Sequence, residues 1–359
     1  MKELFAQINN SMKENLSKLV DSKEWNVYRG KYVNAVEEEC GKILGAMVLT
    51  TNSGSSSLEL CLRTLEINEG DEVIIPSFTF VATAQAIMSV GATPVLCRTD
   101  PDTFNLSYAD VEKKINKKTK AIIFVHLFGN PSGVEEISKI CKKNKIYLVE
   151  DCAQGFGAKI GGKSVGTFGD CAAFSFNSCK HLSCGDGGAF VTTSKALYLK
   201  CKGIRHAGLL QNKKGEYVAE LVGGKNLMTE FQAAVLLPQL EKWNELFNER
   251  EKVGSIIRNK LIHEKYCVQK SVSGAVHSYQ RIVFLAKNKR YAQKLFVKNK
   301  FLEKIYERPL CLEPIIIKKA KIDSETKKEA IEFWERHLGI TLQPFTDYLT
   351  FAENFKVEK

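Results

Sequence analysis

Short apolar runs alternate with helix-favouring segments in the N-terminal half of the chain, and this alternation restricts the fold more than any other feature. The runs are rich in Val, Ile and Phe, and helical stretches such as SGVEEISKICKKN separate several of them. This order of elements predicts an α/β fold with a mainly parallel sheet covered by helices on both faces. In chain order the runs read DEVIIP, TPVLCR, KAIIFVH, KIYLVED, CAAFSF and GGAFVTT.

The segments around these runs predict the domain organisation. A length of 359 residues suffices for one large domain and a smaller one. Residues 1–24 form a predicted amphipathic helix, because apolar residues recur there every three or four positions. We expect a large domain over 25–240 and a small C-terminal α+β domain over 241–359, which contains the predicted strand YQRIVFLA. The apolar positions of the first helix are Phe5, Ile8, Met12, Leu16 and Leu19.

The composition is that of a soluble globular protein. Hydrophobic residues make up 44% and charged residues 26% of the chain. No stretch approaches the ~18 uninterrupted apolar residues that a membrane span requires. The first residues lack the compact apolar centre of a secretory signal, so we expect a cytoplasmic protein without a membrane partner.

The net charge and the spacing of the cysteines indicate which ligands and partners to expect. The formal charge of +11 suits an anion such as a nucleotide or a phosphate. Its lysines are dispersed and no arginine-rich tail occurs, so nucleic acid is not an expected partner. None of the 11 cysteines is spaced C-x-x-C, which favours buried free thiols over a zinc site. We therefore expect no metal.

Lys180 and Asp151 are candidate catalytic residues. Lys180 lies between the apolar FSF and the turn-forming GDGG, where a charged side chain has no evident structural task. Asp151 closes the strand IYLVED, and ligands of open parallel sheets collect at the carboxyl ends of strands. A helix cap or a turn is the alternative explanation for Asp151.

Two further segments suggest a phosphate and an aromatic ring. TNSGSSSLEL places Gly54 and several hydroxyls at the start of a helix, where backbone amides favour phosphate. A serine N-cap is the alternative, and the lysine of a P-loop is absent. PSFTF brings Phe78 and Phe80 to a strand end. A phosphate cradle, a carboxylate, an aromatic and a lysine are together what pyridoxal phosphate (PLP) requires.

Three blocks of the sequence resemble one family closely. They are GDEVIIPSFTFVATAQAIMSVGATPV, VEDCAQGFGAKIGGKSVGTFGDCAAFSFNSCKHLSCGDGG and MTEFQAAVLLPQL. From about Trp25 to Glu241 the chain resembles the DegT/DnrJ/EryC/StrS family of PLP-dependent sugar aminotransferases. The resemblance implies a fold-type I transferase with a mainly parallel seven-stranded sheet, and a homodimer whose active sites take groups from both subunits.

The resemblance also implies roles for individual residues around the ring of PLP. Lys180 matches the Schiff-base lysine, and Asp151 matches the carboxylate that faces the pyridine nitrogen. Gln154 matches the residue near the ring hydroxyl. Phe80 matches the aromatic stacked on the ring, whereas Phe78 is interpreted as a packing residue.

The phosphate contacts follow from the same alignment. Ser175 in FSFNSCK matches the phosphate-binding serine, and Gly54 and Ser55 fall where the family usually has Gly-Thr. The family's G-x-N-x-R-M block reads GGKNLMTE here. A gap-free alignment places Lys225 on the asparagine, whereas a one-residue deletion restores Asn226, which we favour as the residue that reaches the partner's phosphate.

The C-terminal part departs from the family. The P-L-H element of the family reads Pro309, Leu310, Cys311 in this chain, so the histidine is absent. The final segment, ITLQPFTDYLTFAENFKVEK, matches the family only loosely. Because these regions commonly shape the sugar pocket, the substrate does not follow from the resemblance.

The sequence therefore predicts transfer of an amino group from glutamate or glutamine to a keto-sugar. A nucleotide-linked keto-deoxy-sugar of surface-polysaccharide or amino-sugar biosynthesis is favoured, and an inosose is the alternative. A dehydratase branch of the family has histidine at the lysine position, so Lys180 argues against a lyase. Lys180 and Asp151 together also argue against a purely regulatory role.

Overall fold

The computed structural model describes residues 1–25, 30–343, 346 and 348–358. Its strands are β1 (Met47–Thr51), β2 (Glu72–Pro76), β3 (Thr93–Cys97), β4 (Thr119–Val125), β5 (Tyr147–Asp151), β6 (Lys159–Ile160), β7 (Lys163–Ser164), β8 (Cys171–Ser175), β9 (Gly188–Thr192), β10 (Leu209–Gln211), β11 (Tyr217–Ala219), β12 (Cys267–Val268), β13 (Ala275–Val276), β14 (Arg281–Leu285) and β15 (His337–Thr341).

The helices complete the framework. They are α1 (Lys2–Ser22), α2 (Lys31–Leu44), α3 (Gly54–Thr64), α4 (Val81–Ser89), α5 (Tyr108–Lys114), α6 (Val134–Asn144), α7 (Lys195–Arg205), α8 (Glu230–Glu241), α9 (Trp243–His263), α10 (Lys289–Lys298), α11 (Pro314–Lys319), α12 (Ser324–Arg336) and α13 (Leu349–Asn354). None of these helices is long and apolar enough to cross a lipid bilayer.

A seven-stranded sheet in the order β1-β9-β8-β5-β4-β2-β3 forms the centre of the protein. Its strands run parallel except β9, which is antiparallel to both β1 and β8. The predicted mainly parallel seven-stranded sheet is therefore confirmed. All six apolar runs form strands of this sheet, whereas the edge strand β1 was not among them.

The strands of this sheet are buried on both faces because side chains alternate along a strand. In β2, Val73 and Ile75 pack in one cluster with Leu58 of α3, whereas Ile74 faces the opposite side and packs with Ile137 of α6. This two-sided burial explains why the runs read as continuous apolar segments rather than as alternating ones.

The helix-favouring stretch after residue 229 forms two helices, α8 and α9, with a break at Lys242 (φ −106°, ψ 16°). Pro238 lies inside α8 and has no N–H to donate to the carbonyl of Ala234. Asn15 of α1 donates its Nδ2 to that carbonyl instead, at 3.3 Å. The N-terminal amphipathic helix is thus fixed to α8 by a backbone group that the proline leaves free.

The C-terminal part contains a three-stranded antiparallel sheet in the order β12-β14-β15. The predicted strand YQRIVFLA forms β14. Ile282 and Phe284 of β14 pack with Ile257 of α9, whereas Val283 packs on the opposite face with Phe78. The C-terminal sheet therefore turns one face toward the end of β2. The boundaries at 25, 240 and 241 remain predictions.

A close approach of two backbone segments joins β9 to the start of α3. A Cβ built on Gly188 would lie 2.5 Å from the carbonyl carbon of Ser53 and 2.7 Å from the amide nitrogen of Gly54. Real Cβ atoms do not approach backbone this closely, so only glycine allows β9 to begin here. Gly188, the last glycine of GDGG, therefore permits the short distance between the start of β9 and the first turn of α3.

We expect Gly188→Ala to push the first turn of α3 away from β9. The stability of the protein should fall by roughly 1–3 kcal/mol, as for other overpacked sites, and PLP should be retained less well. Gly185→Ala is the control for PLP retention, because a Cβ there meets nothing within 4 Å. Its φ of +85° strains alanine, so this control is also expected to lose some stability. Thermal unfolding and PLP titration of both variants measure the effects. Equal PLP affinity in both variants would contradict the proposed close approach.

Candidate active site

The carboxyl edge of the large sheet brings Asp151 into a buried position. Asp151 ends β5 and is 4% exposed. Thr83 donates its hydroxyl to Oδ2 at 2.9 Å, and the amide of Ala153 donates to Oδ1 at 3.1 Å. Burial raises the pKa of Asp151 above its ordinary value of 3.8, although these bonds and the charge of Lys180 oppose the rise. The site therefore holds a carboxylate that a nearby cation would stabilise.

Lys180 lies in the loop between β8 and β9, and its position is fixed by backbone contacts. Its amide donates to the carbonyl of Asn177 at 2.9 Å, and Gln280 donates its Nε2 to the carbonyl of Cys179 at 3.0 Å. Burial lowers the pKa of Lys180, and the charge of Arg281 lowers it further. A lysine whose pKa is lowered has more of its amine neutral and able to attack a carbonyl carbon.

A hydrogen-bonded pair lies beside these two residues. Gln154 accepts from the amide of Phe128 at 2.8 Å and donates its Nε2 to the hydroxyl of Tyr306 at 3.1 Å. The ring of Tyr306 lies 6.2 Å from that of Phe80 and 5.1 Å from that of Phe78. Phe80 is 56% exposed, as a ring that stacks on a ligand would be. Phe78 is fully buried, in agreement with its interpretation as a packing residue.

The start of α3 and the end of β8 form a concave surface of backbone amides and hydroxyls. The N-cap of α3 is Ser53, whose Oγ accepts from the amide of Ser56 at 3.1 Å. A Cβ built on Gly54 would lie 2.7 Å from Cβ and 3.0 Å from Oγ of Ser175. The predicted phosphate residues Gly54, Ser55 and Ser175 are therefore brought together, and the serine N-cap is a different residue.

Asn226, the predicted contact with the partner's phosphate, lies beside the end of α7. Its amide donates to the carbonyl of Arg205 at 3.0 Å. Lys225, the alternative in the alignment, is exposed and forms an isolated bridge with His206. Neither residue contacts the first turn of α3 in any hydrogen bond of the described residues. The choice between them remains a prediction.

Three residues that the sequence did not indicate join the site: Thr83, Tyr306 and Arg281. Arg281 shares the face of β14 that carries Val283, which packs with Phe78. Arg281 donates its Nε to Thr341 Oγ1 at 3.0 Å, and no ion pair of the described residues involves its guanidinium. Nothing in the sequence around a lone arginine or tyrosine marks it as an active-site residue.

His126, Glu150 and Cys152 form a buried group of the kind that can hold a metal ion. The oxygens of Glu150 accept from His126 Nε2 at 2.8 Å and from three amides of residues 166–169. The carboxylate therefore ties the loop after β7 to the end of β5. These bonds give the group a structural task next to Asp151.

The residues present fit PLP. The amides at the start of α3 offer donors to a phosphate, because the first amides of a helix have no acceptor within it. Asp151 offers its charge to a protonated ring nitrogen, and Lys180 offers an amine to the aldehyde. The arrangement is that of an aminotransferase that uses PLP.

Comparison with known proteins gives the family. Residues 6–347 match the model of the DegT/DnrJ/EryC1/StrS aminotransferase family, and the chain belongs to this family. It is a PLP-dependent aminotransferase. The chain is 35% identical to GDP-perosamine synthase of Escherichia coli O157:H7 over 83% of this chain and 81% of that protein.

Two other comparisons agree with this assignment. The chain is 38% identical to L-glutamine:2-deoxy-scyllo-inosose aminotransferase of Micromonospora echinospora, over 58% of this chain and 51% of that protein. The fold matches the crystal structure of DesV from S. venezuelae in complex with a ketimine intermediate with a TM-score of 0.89 and 26% identity, over 98% of this chain and 94% of that one. The predictions of an aminotransferase, of PLP and of the fold type are confirmed.

The raised pKa of Asp151 predicts that Asp151→Asn stabilises the PLP-free protein. The folded protein binds the proton of this carboxyl more tightly than the unfolded chain does, so wild-type stability declines as pH rises above the unfolded pKa. The gain from asparagine should be absent below a pH of about 4 and should grow as the pH rises. Thermal unfolding of both PLP-free proteins between pH 4 and 8 measures it. A gain that shrinks as the pH rises would contradict the burial of an ionised Asp151.

Proposed function

We propose that this protein transfers an amino group from glutamate or glutamine to a keto-sugar that is linked to a nucleotide. The observation that carries the proposal is the convergence of Lys180, Asp151 and the first turn of α3 at one edge of the sheet. The similarity to GDP-perosamine synthase supports a sugar nucleotide as substrate. A nucleotide-linked keto-deoxy-sugar of surface-polysaccharide or amino-sugar biosynthesis is the substrate we favour.

PLP supplies an electron sink that stabilises negative charge on the carbon from which a proton is removed. Lys180 anchors the cofactor through its amine and, when released, moves a proton between the carbon centres. Its lowered pKa suits both tasks, because a neutral amine is required for each. Asp151 holds the ring nitrogen protonated, and Thr83 orients this carboxylate.

The other site residues position the cofactor. Gln154 is proposed to contact the ring hydroxyl, since its side chain is already fixed by Phe128 and Tyr306. Phe80 covers one face of the ring. The amides of Gly54 and Ser55 and the hydroxyl of Ser175 bind the phosphate. Asn226 is proposed to reach the phosphate of the neighbouring subunit.

Arg281 is proposed to bind the α-carboxylate of the amino donor. This carboxylate lies two bonds from the reacting nitrogen, so its partner must lie near Lys180, whose pKa the charge of Arg281 lowers. The Nε of Arg281 donates to Thr341 Oγ1. The two Nη groups then remain available for two parallel hydrogen bonds to a carboxylate. Because Arg281 has no carboxylate partner among the described residues, it is available for the carboxylate of the substrate.

An inosose is the second candidate for the amino acceptor, and the similarity to the inosose aminotransferase favours it. Assays with a panel of nucleotide-linked keto-sugars and inososes, each with glutamate and with glutamine, separate the two. A dehydratase remains disfavoured because Lys180 would return the bound intermediate to amino transfer.

The family resemblance supports a proposal for the assembly, and the sequence supports one for the location. We propose a cytoplasmic homodimer with shared active sites and no nucleic-acid partner. Light scattering that shows a fully active monomer would contradict the shared sites.

Borohydride treatment of the PLP-loaded enzyme should attach the phosphopyridoxyl group to Lys180. Lys180→Ala should still bind PLP through the remaining contacts but lose amino transfer, because the anchoring amine and the proton carrier are both removed. Peptide mapping by mass spectrometry and single-turnover assays with glutamate or glutamine measure the two effects. Attachment to a different lysine, or appreciable turnover by Lys180→Ala, would refute the assignment.

Arg281→Met should raise the KM for the amino donor by about 10- to 100-fold, because a charged hydrogen bond to the carboxylate is lost. The KM for the keto acceptor should change much less. Arg290→Met on α10 is the control, since Arg290 is exposed. Steady-state kinetics with each substrate varied in turn measure the two constants. An unchanged donor KM in Arg281→Met would exclude this role.

A further inference from the structure

A chain of hydrogen bonds runs sideways across the C-terminal sheet, from Arg281 to Thr341 and on to Glu303. Arg281 and Thr341 are cross-strand neighbours in β14 and β15. Glu303 lies on the other side of β15, where its backbone pairs with Gly339 in an antiparallel bridge. Gly339 and Thr341 share a face of β15, because side chains two positions apart in a strand point the same way. Strand pairing therefore makes neighbours of three polar side chains that are far apart in the sequence.

The chemistry of the three groups fixes the direction of each hydrogen bond in this chain. A guanidinium can only donate, and Arg281 donates its Nε to Thr341 Oγ1 at 3.0 Å. A carboxylate can only accept, and Thr341 donates the proton of its hydroxyl to Glu303 Oε2 at 2.6 Å. The hydroxyl of Thr341 therefore accepts from a cation and donates to an anion at the same time.

Thr341 separates the two charges and keeps both in the same chain. Its side chain is 6% exposed, so water offers its hydroxyl few alternative partners. Neither Arg281 nor Glu303 forms an ion pair within the part of the chain that the structure describes. The negative charge of Glu303 thus lies two hydrogen bonds from the guanidinium and leaves both Nη groups free. A hydroxyl that donates to a carboxylate also becomes a stronger acceptor, because successive hydrogen bonds polarise one another.

We propose that Glu303 is a positioning residue for the amino donor and acts through Thr341 and Arg281. A guanidinium is planar, so the direction of its Nε–H bond determines where both Nη groups point. Glu303 holds the proton of Thr341 and thereby keeps a lone pair of Thr341 Oγ1 directed at Nε. The plane of Arg281 is then fixed before the donor binds, which reduces the side-chain ordering that binding requires.

The inference rests on the proposed role of Arg281 in binding the α-carboxylate of the donor. Glutamate and glutamine both carry this carboxylate, so the inference holds for either donor. The backbone of Glu303 has a separate task, because its amide and carbonyl bond to Gly339 and hold the segment that carries Tyr306. A substitution that changes only the side chain of Glu303 leaves these backbone bonds in place and isolates the proposed positioning.

Glu303→Gln in the PLP-loaded enzyme tests the side chain alone. A neutral amide is a weaker acceptor than a carboxylate, so the KM for the amino donor should rise about three- to tenfold. The kcat and the KM for the keto acceptor should stay close to those of the wild type. Glu307→Gln is the matched control, because Glu307 is an exposed carboxylate of the same segment, and its donor KM should be unchanged. Thr341→Val, which removes the hydroxyl and keeps the shape, should raise the donor KM at least as much as Glu303→Gln.

A double-mutant cycle separates positioning from a general effect on the structure. Arg281→Met removes the residue through which Glu303 acts, so adding Glu303→Gln to it should raise the donor KM no further. Three results would overturn the inference while the role of Arg281 stands. They are an unchanged donor KM in Glu303→Gln, an equal rise in the KM of both substrates, and a further rise in the double variant as large as that in the wild-type background. An unchanged donor KM in Arg281→Met would instead refute the role of Arg281 itself, and this inference would fall with it.

Discussion

The desolvated carboxylate of Asp151 is the constraint on which the rest of the site depends. A carboxylate that is 4% exposed destabilises the protein unless hydrogen bonds and a cation compensate it. Thr83 and the amide of Ala153 compensate it in part. In the proposed site, a protonated ring nitrogen of PLP supplies the remaining compensation. Burial of Asp151 then lowers the stability of the PLP-free protein, and binding of the cofactor offsets this loss.

Residues 303–306 close the site, and their packing beside β15 holds them in place. Glu303 pairs with Gly339 in an antiparallel bridge, and a Cβ built on Gly339 would clash with Ile305 Cδ1. Lys304 donates its Nζ to three carbonyls at the end of α12 and the start of β15, at 2.8–3.0 Å. These contacts hold Tyr306 against Gln154 and Phe80. The cofactor pocket is thus assembled from segments that lie far apart in the sequence.

Much of the architecture could be predicted because buried parallel strands have a strong local signal. Six of the seven strands of the large sheet were visible as apolar runs. The edge strand β1, with the sequence MVLTT, was not recognised as an apolar run. Asp151 could be placed at the site because it ends a predicted strand, and the carboxyl ends of parallel strands meet at one edge of the sheet. Gly54 was suggested by its position at the start of a helix, and the resemblance to the family added Ser175.

The sequence by itself determined the fold class and the PLP-dependent chemistry, because the order of apolar runs and the blocks that resemble the family are local properties of the chain. It also predicts Lys180 as the Schiff-base lysine. Only the tertiary structure decided that Tyr306, Thr83 and Arg281 reach the same site. The approach of Tyr306 and Arg281 depends on the antiparallel bridge between Glu303 and Gly339 and on the face of β14 that packs against Phe78. Such contacts arise from the packing of distant segments, and that packing leaves no pattern in the residues that surround each of them.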